Sequence, residues 1–286
     1  MIVVTGATGN VGRTLVGLLA EAGEPVTAVS RKITESDVPR GVAAFAADLT
    51  DPAGLRPALE GADALFLLIS GDFVAAADDP SGVIDAVLAD AEGAGVKRVV
   101  LLSSQGVATR PDSPSHGITG RSIEDAVRRS GADWTILRPG GFASNTYAWA
   151  ESIRARRTVA APFGDVGLPF IDPADIAEVA AAVLRGDGHT GQVYELTGPA
   201  PTTPRQRAEA IGAAIGEPVL FVEQTREEAR AQMLQFMPEP VVETTLAIIG
   251  DPTPAELRIS PDVERVLGRA PRSFAEWARD NAAAFR

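Results

Sequence analysis

A β-branched run, Ile2-Val3-Val4-Thr5, leads straight into Gly6, Gly9 and Gly12 at the spacing G-x-x-G-x-x-G. Val11, Leu15, Leu18 and Leu19 then fall on one face of a helix. A strand, a tight turn and a helix start in that order leave few folds open. Gly6 lets the chain leave the strand with backbone angles barred to other residues. Gly9 removes a side chain where a pyrophosphate must approach the backbone, and Gly12 permits close packing of helix on sheet. The helix N-terminus offers N–H groups and a partial positive charge to phosphates. Gly23 is placed to end the helix, and a second strand, Val26–Val29, follows. The order predicts a dinucleotide-binding unit; the plainer alternative is a merely tight strand-to-helix turn.

Beyond this unit, short apolar runs recur at Val26–Ser30, Ala43–Ala46, Ala64–Ile69 and Arg98–Ser103. They have the character of strands buried on both faces of a parallel sheet. Helical stretches intervene at about 10–22, 52–60 and 80–94, and a helix near 119–130 precedes a strand at Trp134–Leu137. The fold class expected is α/β, a Rossmann-type, open, doubly wound parallel sheet. Asp172 and Pro173 then cap and open a helix whose apolar face is Ile176, Val179, Ala180, Val183 and Leu184. Further on, Gln192–Leu196 and Val219–Val222 read as strands and Pro204–Ile215 as a helix. Residues 226–249 read as a helix interrupted at Pro238 and Pro240, and Ser273-Phe274-Ala275-Glu276 is a capping box. One domain over 1–286 is expected. Its dinucleotide core reaches to about residue 140. A small C-terminal α/β substrate lobe, or lid, runs from about 141 to 286 and lends the elements at 173–196 to the core.

The chain has 286 residues, 45% of them hydrophobic, which is ample for a sizeable core. It has no cysteine, so it forms no disulfide and offers no thiolate nucleophile or ligand, and no metal site is expected. A net charge of -12 disfavours a nucleic-acid surface. No apolar stretch reaches the ~18 residues of a membrane span, and a strand beginning at residue 2 leaves no room for a signal peptide. A cytoplasmic protein acting on a small molecule, without membrane association, is the expectation.

Ligands of such sheets bind at the carboxyl ends of the strands. After the second strand comes Ser30-Arg31-Lys32. NAD sites usually place a carboxylate there for the ribose 2′-hydroxyl, and it would repel a 2′-phosphate. Arg31 can instead grip that phosphate with paired N–H donors, so NADP(H) is favoured over NAD(H). The alternative is that Arg31 and Lys32 are simply solvated. Asp48 and Leu49 follow the third strand, where an adenine would lie. Leu68, Ile69 and Ser70 end the fourth strand, Ser103 and Ser104 the fifth, and Arg138-Pro139-Gly140-Gly141-Phe142 the sixth. Together they form the rim of one crevice.

Three segments carry a resemblance: Thr5-Gly6-Ala7-Thr8-Gly9-Asn10-Val11-Gly12, Trp134 through Phe142, and Phe170-Ile171-Asp172-Pro173-Ala174-Asp175-Ile176-Ala177. They resemble the NmrA-like group of atypical short-chain dehydrogenase/reductases, and Leu267-Gly268-Arg269-Ala270-Pro271 with Phe274-Ala275-Glu276-Trp277-Ala278 is similar to bacterial members. The group includes NADPH-dependent quinone reductases, other reductases and non-catalytic NADP(H) sensors. The resemblance implies that Gly6, Thr8, Gly9, Asn10, Val11 and Arg31 carry the cofactor phosphates. It also implies that Asp48 and Leu49 hold adenine, and that Pro139, Gly140 and Phe142 lie by the nicotinamide.

Ordinary reductases of the wider superfamily protonate the carbonyl oxygen with the Tyr of a Tyr-x-x-x-Lys pair. Free Tyr has a pKa of about 10, and the neighbouring Lys helps bring it down. Four residues beyond Tyr147 and Tyr194 lie Glu151 and Gly198, and the only lysines are Lys32 and Lys97. That pair is absent from the sequence. His116 could donate a proton, since histidine titrates near neutrality; the ordinary reading is an exposed loop histidine. Ser104 could bond a carbonyl oxygen, or the cofactor, or cap its loop, and Arg121 could face the cofactor or solvent. Phe73, Phe142, Tyr147, Trp149 and Phe163, with Met233, Phe236 and Met237 closing over them, could line an apolar pocket, although such residues more often belong to a core. Three functions fit: an NADPH-dependent reductase of a quinone or similar conjugated carbonyl, a non-catalytic NADP(H)-sensing regulator working through a protein partner, and a tailoring reductase of a specialised metabolite.

Overall fold

The apolar runs do pair with one another. The computed structural model describes residues 1–77 and 79–286. Its strands are β1 (Ile2–Thr5), β2 (Val26–Ser30), β3 (Ala43–Ala46), β4 (Ala64–Leu68), β5 (Arg98–Leu102), β6 (Asp133–Pro139), β7 (Thr158–Pro162), β8 (Gln192–Leu196) and β9 (Leu220–Gln224). Seven of them form one parallel sheet in the order β3-β2-β1-β4-β5-β6-β8, and β7 pairs with β9 in a small parallel ribbon. The chain works outward from β1 to β3, then returns to lay β4 on the other side of β1. The order therefore reverses between β1 and β4, and a crevice opens there at the carboxyl ends.

The helices are α1 (Asn10–Glu21), α2 (Pro52–Leu59), α3 (Gly71–Ala76), α4 (Pro80–Gly93), α5 (Gly106–Thr109), α6 (Thr119–Arg129), α7 (Ala150–Arg156), α8 (Pro173–Arg185), α9 (Pro204–Ile215), α10 (Arg226–Met233), α11 (Glu239–Gly250), α12 (Asp262–Leu267) and α13 (Phe274–Asp280). One apolar layer packs α1 and α8 on the sheet through Val11, Leu15, Leu19, Ile176, Val179 and Val183. The other packs α2, α4 and α6 through Leu55, Leu59, Ile84, Val87, Ile123 and Val127. A third cluster, with Ile153, Val159, Ile211, Phe274 and Trp277, builds the C-terminal lobe.

The interruption expected at Pro238 and Pro240 within 226–249 separates two helices: α10 ends at Met233, ahead of the prolines, and α11 starts afresh at Glu239 with Pro238 as its N-cap. The strand expected at Val219–Val222 lies at 220–224, and its partner β7 was not foreseen.

A buried charge ties the far end of the crevice together. Glu124 of α6 is fully buried and accepts hydrogen bonds from Arg138 of β6 at 2.8 and 2.5 Å, from Ser103 after β5 at 2.6 Å and from Arg128 at 2.8 Å. Burial alone would raise this carboxyl. The hydrogen bonds from Arg138, Ser103 and Arg128 hold it below the ordinary glutamate value of 4.5. Replacing Glu124 by Gln leaves the partly buried Arg138 guanidinium without its two-pronged partner, while Arg128 keeps Asp125 at 2.9 Å, and should cost about 3–5 kcal/mol in denaturant unfolding. Because the folded pKa is depressed, the contribution is complete above pH 4.5 and is lost as pH falls through the lower folded value. Wild-type stability should therefore drop on acidification below 4.5 by more than that of Glu124→Gln; equal acid sensitivity would remove Glu124 from this role.

Candidate functional site

The site begins at the glycine turn. Gly6 sits at φ +64°, and a Cβ there would meet the Leu68 methyl carbons at 3.0 and 3.1 Å. A Cβ on Gly12 would lie 2.2 Å from the Gly6 carbonyl oxygen and 2.9 Å from Ala7 Cα. These are backbone atoms of the turn, which cannot swing aside. Gly9 is different: a Cβ there would meet only the Gly6 oxygen, at 3.3 Å, and would otherwise project into the crevice. Gly9 is also the N-cap of α1 and has no side chain to close off the first N–H groups of the helix. Thr5 stitches β1 to β4 at the reversal, its hydroxyl donating to the Phe66 carbonyl at 3.1 Å and accepting from Leu68 N–H at 2.8 Å.

Three cavities border this turn and the strand ends; one, about 580 Å³, lies on the outer side of the turn between Thr8, Gly9 and Asn10 and Tyr147, Asp172 and Asn281, and two follow the strand ends. The first, about 230 Å³, is lined by Gly6, Thr8, Gly9, Ser30, Arg31, Asp48, Leu49, Leu68, Ser70 and Phe73. Thr8 and Ser30 hydroxyls bond each other across it at 2.9 Å. Asp48 Oδ1 accepts from the Thr50 amide and hydroxyl at 3.0 and 2.9 Å, and these bonds, with the charge of Arg31, hold its carboxyl below the ordinary aspartate value. The second cavity, about 530 Å³, lies beyond β5 and β6 and is lined by Ser104, Gln105, Gly106, His116, Pro139, Gly140, Phe142, Leu168, Phe170, Thr245, Ile248, Ile249 and Glu256. Asn10, on the outer side of the turn, donates to Ser144 Oγ at 3.1 Å.

Most residues expected on the rim are thus brought together in the two cavities. Five take another part: Asn10 bonds Ser144 on the outer side of the turn and Arg138 pairs with Glu124, and three more are Ser103, Ile69 and Val11. Ser103 gives its hydroxyl proton to Glu124, so it braces the sheet end. Ile69 packs its side chain into the apolar layer beneath α2 and α4. Val11 is 2% exposed and can offer a ligand only its backbone.

The aromatic residues divide differently from the sequence expectation. Phe142 lines the larger cavity, whereas Phe73 closes the smaller one. Tyr147 donates to Asn281 Oδ1 at 2.5 Å and stacks with Phe285. Trp149 and Phe170 sandwich Arg207, a guanidinium so buried that its pKa falls to about 9. Phe163, Met233 and Met237 pack among themselves with α11, and Phe236 is 66% exposed. The cavity roof is instead Thr245, Ile248 and Ile249 of α11. Arg121 is exposed and donates to the Pro111 carbonyl at 3.4 Å. His116 is partly buried and faces the larger cavity, not solvent.

The roof is latched to the floor. Arg110, at the end of α5, forms a two-pronged ion pair with Glu256, both contacts 2.8 Å, and donates to the Asp251 carbonyl at 2.9 Å. Burial would raise Glu256, but the Arg110 and Thr253 bonds hold it below the ordinary glutamate value. Gln105 donates to the Ala255 carbonyl at 3.3 Å. Sequence reasoning missed Gln105, Glu256 and the α11 roof. The neighbouring Ser103-Ser104 pair marked the strand end, yet nothing local links residues 104–116 with 245–256.

A turn stripped of side chains at a helix N-terminus, opening on a sheet reversal, defines a dinucleotide-binding α/β protein. Comparisons agree. Residues 6–187 match the NAD(P)H-binding family. The whole chain is 39% identical to (4-alkanoyl-5-oxo-2,5-dihydrofuran-3-yl)methyl phosphate reductase of Streptomyces griseus subsp. griseus, covering 99% of it. It is 36% identical, again over its whole length, to NAD(P)H azoreductase of Xenophilus azovorans, covering 99% of it. The crystal structure of the Escherichia coli NADPH-dependent quinone oxidoreductase QOR2 with NADPH superposes with a TM-score of 0.80 at 24% identity, over 98% of this chain and 99% of that one. The protein belongs to the NAD(P)H-binding family, its two full-length relatives are named as reductases, and it shares its fold with the negative transcriptional regulator NmrA, whose structure superposes with a TM-score of 0.72 at 19% identity over 98% of this chain and 94% of that one. Among the described residues no helix is long and apolar enough to cross a membrane.

The glycines give opposite expectations. Gly12→Ala overpacks backbone against backbone and should lower unfolding stability by about 1–3 kcal/mol or more. Gly9→Ala should stay within about 0.5 kcal/mol of wild type yet weaken NAD(P)H binding about tenfold or more in a fluorescence titration. Unchanged affinity in Gly9→Ala would remove the phosphates from this turn.

Proposed function

We propose that this protein is an NADPH-dependent reductase of a neutral, flat, conjugated acceptor of the quinone type. The observation that carries the reading is the succession of two cavities along one strand-end crevice, the smaller at the glycine turn and the larger walled by Pro139–Phe142 and roofed by α11. In this reading the α1 N-terminus, with the Asn10 and Val11 amides and Thr8, receives the pyrophosphate. Arg31 receives the 2′-phosphate, Asp48 and Leu49 the adenine, and Gly6, Leu68, Ile69 backbone and Ser70 the central sugar-phosphate stretch. Pro139, Gly140 and Phe142 flank the nicotinamide. The residues suit the group: Gly9 is the place where a Cβ would fill the phosphate path. A bound reduced nicotinamide supplies a hydride.

The chain holds donor and acceptor in line and excludes water between α11 and the 139–142 segment. Ser104 accepts the Gly106 N–H at 3.1 Å, and we assign its own proton to a hydrogen bond with the acceptor oxygen. A quinone suits a site without Tyr-x-x-x-Lys, because its ring already stabilises the reduced oxyanion. The charged lining of the larger cavity, among the described residues, is Glu256, which Arg110 neutralises. An anionic substrate would find no counter-charge there to offset its dehydration. The Streptomyces griseus relative is named for an unsaturated lactone bearing a phosphate; for this chain a phosphate-free conjugated carbonyl is the better fit.

The test is NADPH consumption, followed by nicotinamide absorbance, over a panel of neutral quinones and of unsaturated lactones with and without a phosphate ester. Turnover is expected with neutral acceptors, and a preference for the phosphate ester would contradict the substrate class. Arg31→Asp should shift the NADPH/NADH preference by about tenfold to a hundredfold toward NADH. Unchanged preference would sink the 2′-phosphate contact.

A further inference from the structure

We propose that His116 passes the proton to the acceptor through its Nε2 atom, and that the lid helix α11 holds the ring in the required tautomer by way of Ser115. The proposal rests on the reductase reading above and adds to it the proton donor that the missing Tyr-x-x-x-Lys pair leaves unassigned.

The argument starts from an atom that can only accept. The Pro240 carbonyl, in the first turn of α11, receives the Ser115 hydroxyl proton at 3.1 Å. Ser115 Oγ also lies 2.9 Å from His116 Nδ1. A hydroxyl has one proton, and α11 offers it two acceptors, the Pro240 carbonyl and Thr244 Oγ1; with the proton on either of them, the Nδ1–H donates to Ser115. The neutral ring then carries its hydrogen on Nδ1 and leaves Nε2 bare. Among the described residues Nε2 has no hydrogen-bond partner, and the ring lines the same cavity as Pro139, Gly140 and Phe142. Thr244 Oγ1 of α11 is the second acceptor for the Ser115 hydroxyl, at 3.2 Å, and shares a hydrogen bond with Ser113 Oγ at 2.9 Å, while the backbone N–H of His116 donates to Ser113 Oγ at 3.3 Å. The ring is held at Nδ1 by Ser115, and Ser115 is held by α11, the roof of the cavity.

The chemistry balances. A hydride bonds to the acceptor carbon, the carbonyl π pair moves to oxygen, and that oxygen takes the Nε2 proton of the imidazolium. The N–H bond broken at His116 is restored from water, so one proton is consumed per turnover together with the hydride. The proton-bearing form must be the imidazolium, which burial disfavours, while Glu256 favours it. The groups around the ring are Glu256 from the 251–258 segment, neutralised by Arg110 at the end of α5, and Thr244 and the Pro240 carbonyl from α11. Glu243 of α11 turns away to Arg226 and Arg230, and Arg121 of α6 to the Pro111 carbonyl. The net shift is below 6.5, so the rate of neutral-acceptor reduction falls as pH rises through a value under 6.5.

The chain has two histidines, His116 and His189, so nitrogen-15 NMR resolves the ring directly, with His189→Gln for assignment. The expected result is an Nδ1–H tautomer for His116 that is lost in Ser115→Ala and restored in Ser115→Thr. An Nε2–H tautomer in the wild-type protein would overturn the proposal without reference to activity. In kinetics, His116→Gln keeps a polar side chain but cannot carry the charge. It should lower kcat about a hundredfold, abolish the pH limb below 6.5 and leave NADPH affinity within about twofold. Wild-type kcat and pH limb in His116→Gln would overturn the role of His116 and leave the reductase reading standing. Failure of the wild-type protein to consume NADPH, with the Nδ1–H tautomer intact, would overturn the reductase reading and the proton transfer with it.

Discussion

The distance between Gly12 and the Gly6 carbonyl governs much of this molecule. With 2.2 Å between that oxygen and any Cβ at position 12, α1 approaches the turn more closely than a side chain allows. The helix axis is thereby set against β1, with its first N–H groups aimed at the gap where the sheet order reverses. Thr5 holds the other wall of that gap by bonding both Phe66 and Leu68 of β4. A dinucleotide crevice follows from these two contacts, before any residue that touches a substrate is considered.

The far end of the crevice depends on charge. Glu124 anchors Arg138 and Ser103 beneath the segment that bends into Pro139–Phe142, and Arg110 with Glu256 clasps the roof to the same floor. Both carboxylates are buried and both are compensated, which leaves the cavity between them nearly neutral. The consequence is selective: a flat uncharged acceptor loses little on entering, while an anion loses its hydration without recompense. The proton transfer proposed for His116 draws on this neutrality, since the charged lining of the cavity among the described residues is Glu256, which Arg110 neutralises.

The first half of the fold was legible because its signals are local. Alternating apolar runs and helical faces, with Gly6, Gly9 and Gly12 at the first junction, identify a doubly wound sheet, and strand ends then point to Arg31, Asp48, Ser104 and Phe142. The second half was legible in its elements and illegible in their docking. Asp172-Pro173 announced α8 and Ser273 announced α13, but nothing in residues 226–249 says that Ile248 and Ile249, not Met233 or Phe236, roof the cavity. Ser103 and Ser104 are adjacent and chemically identical; one braces a buried glutamate and the other faces the cavity, a difference made by Glu124 twenty residues away. His116 read as a loop histidine because Ser115, which touches its Nδ1, is in turn held by the Pro240 carbonyl, a backbone atom more than a hundred residues distant.

The central claim is that the two cavities are the two ends of one cofactor-and-acceptor site. A crystal structure of the complex with NADP⁺ tests it most directly. The account predicts adenosine 2′-phosphate against Arg31 and Ser30, pyrophosphate on Gly9 and the start of α1, and the nicotinamide ring against Pro139–Phe142 with one face open toward Ser104 and His116. A nicotinamide lying outside the larger cavity, or an adenosine placed away from Arg31 and Asp48, would contradict it.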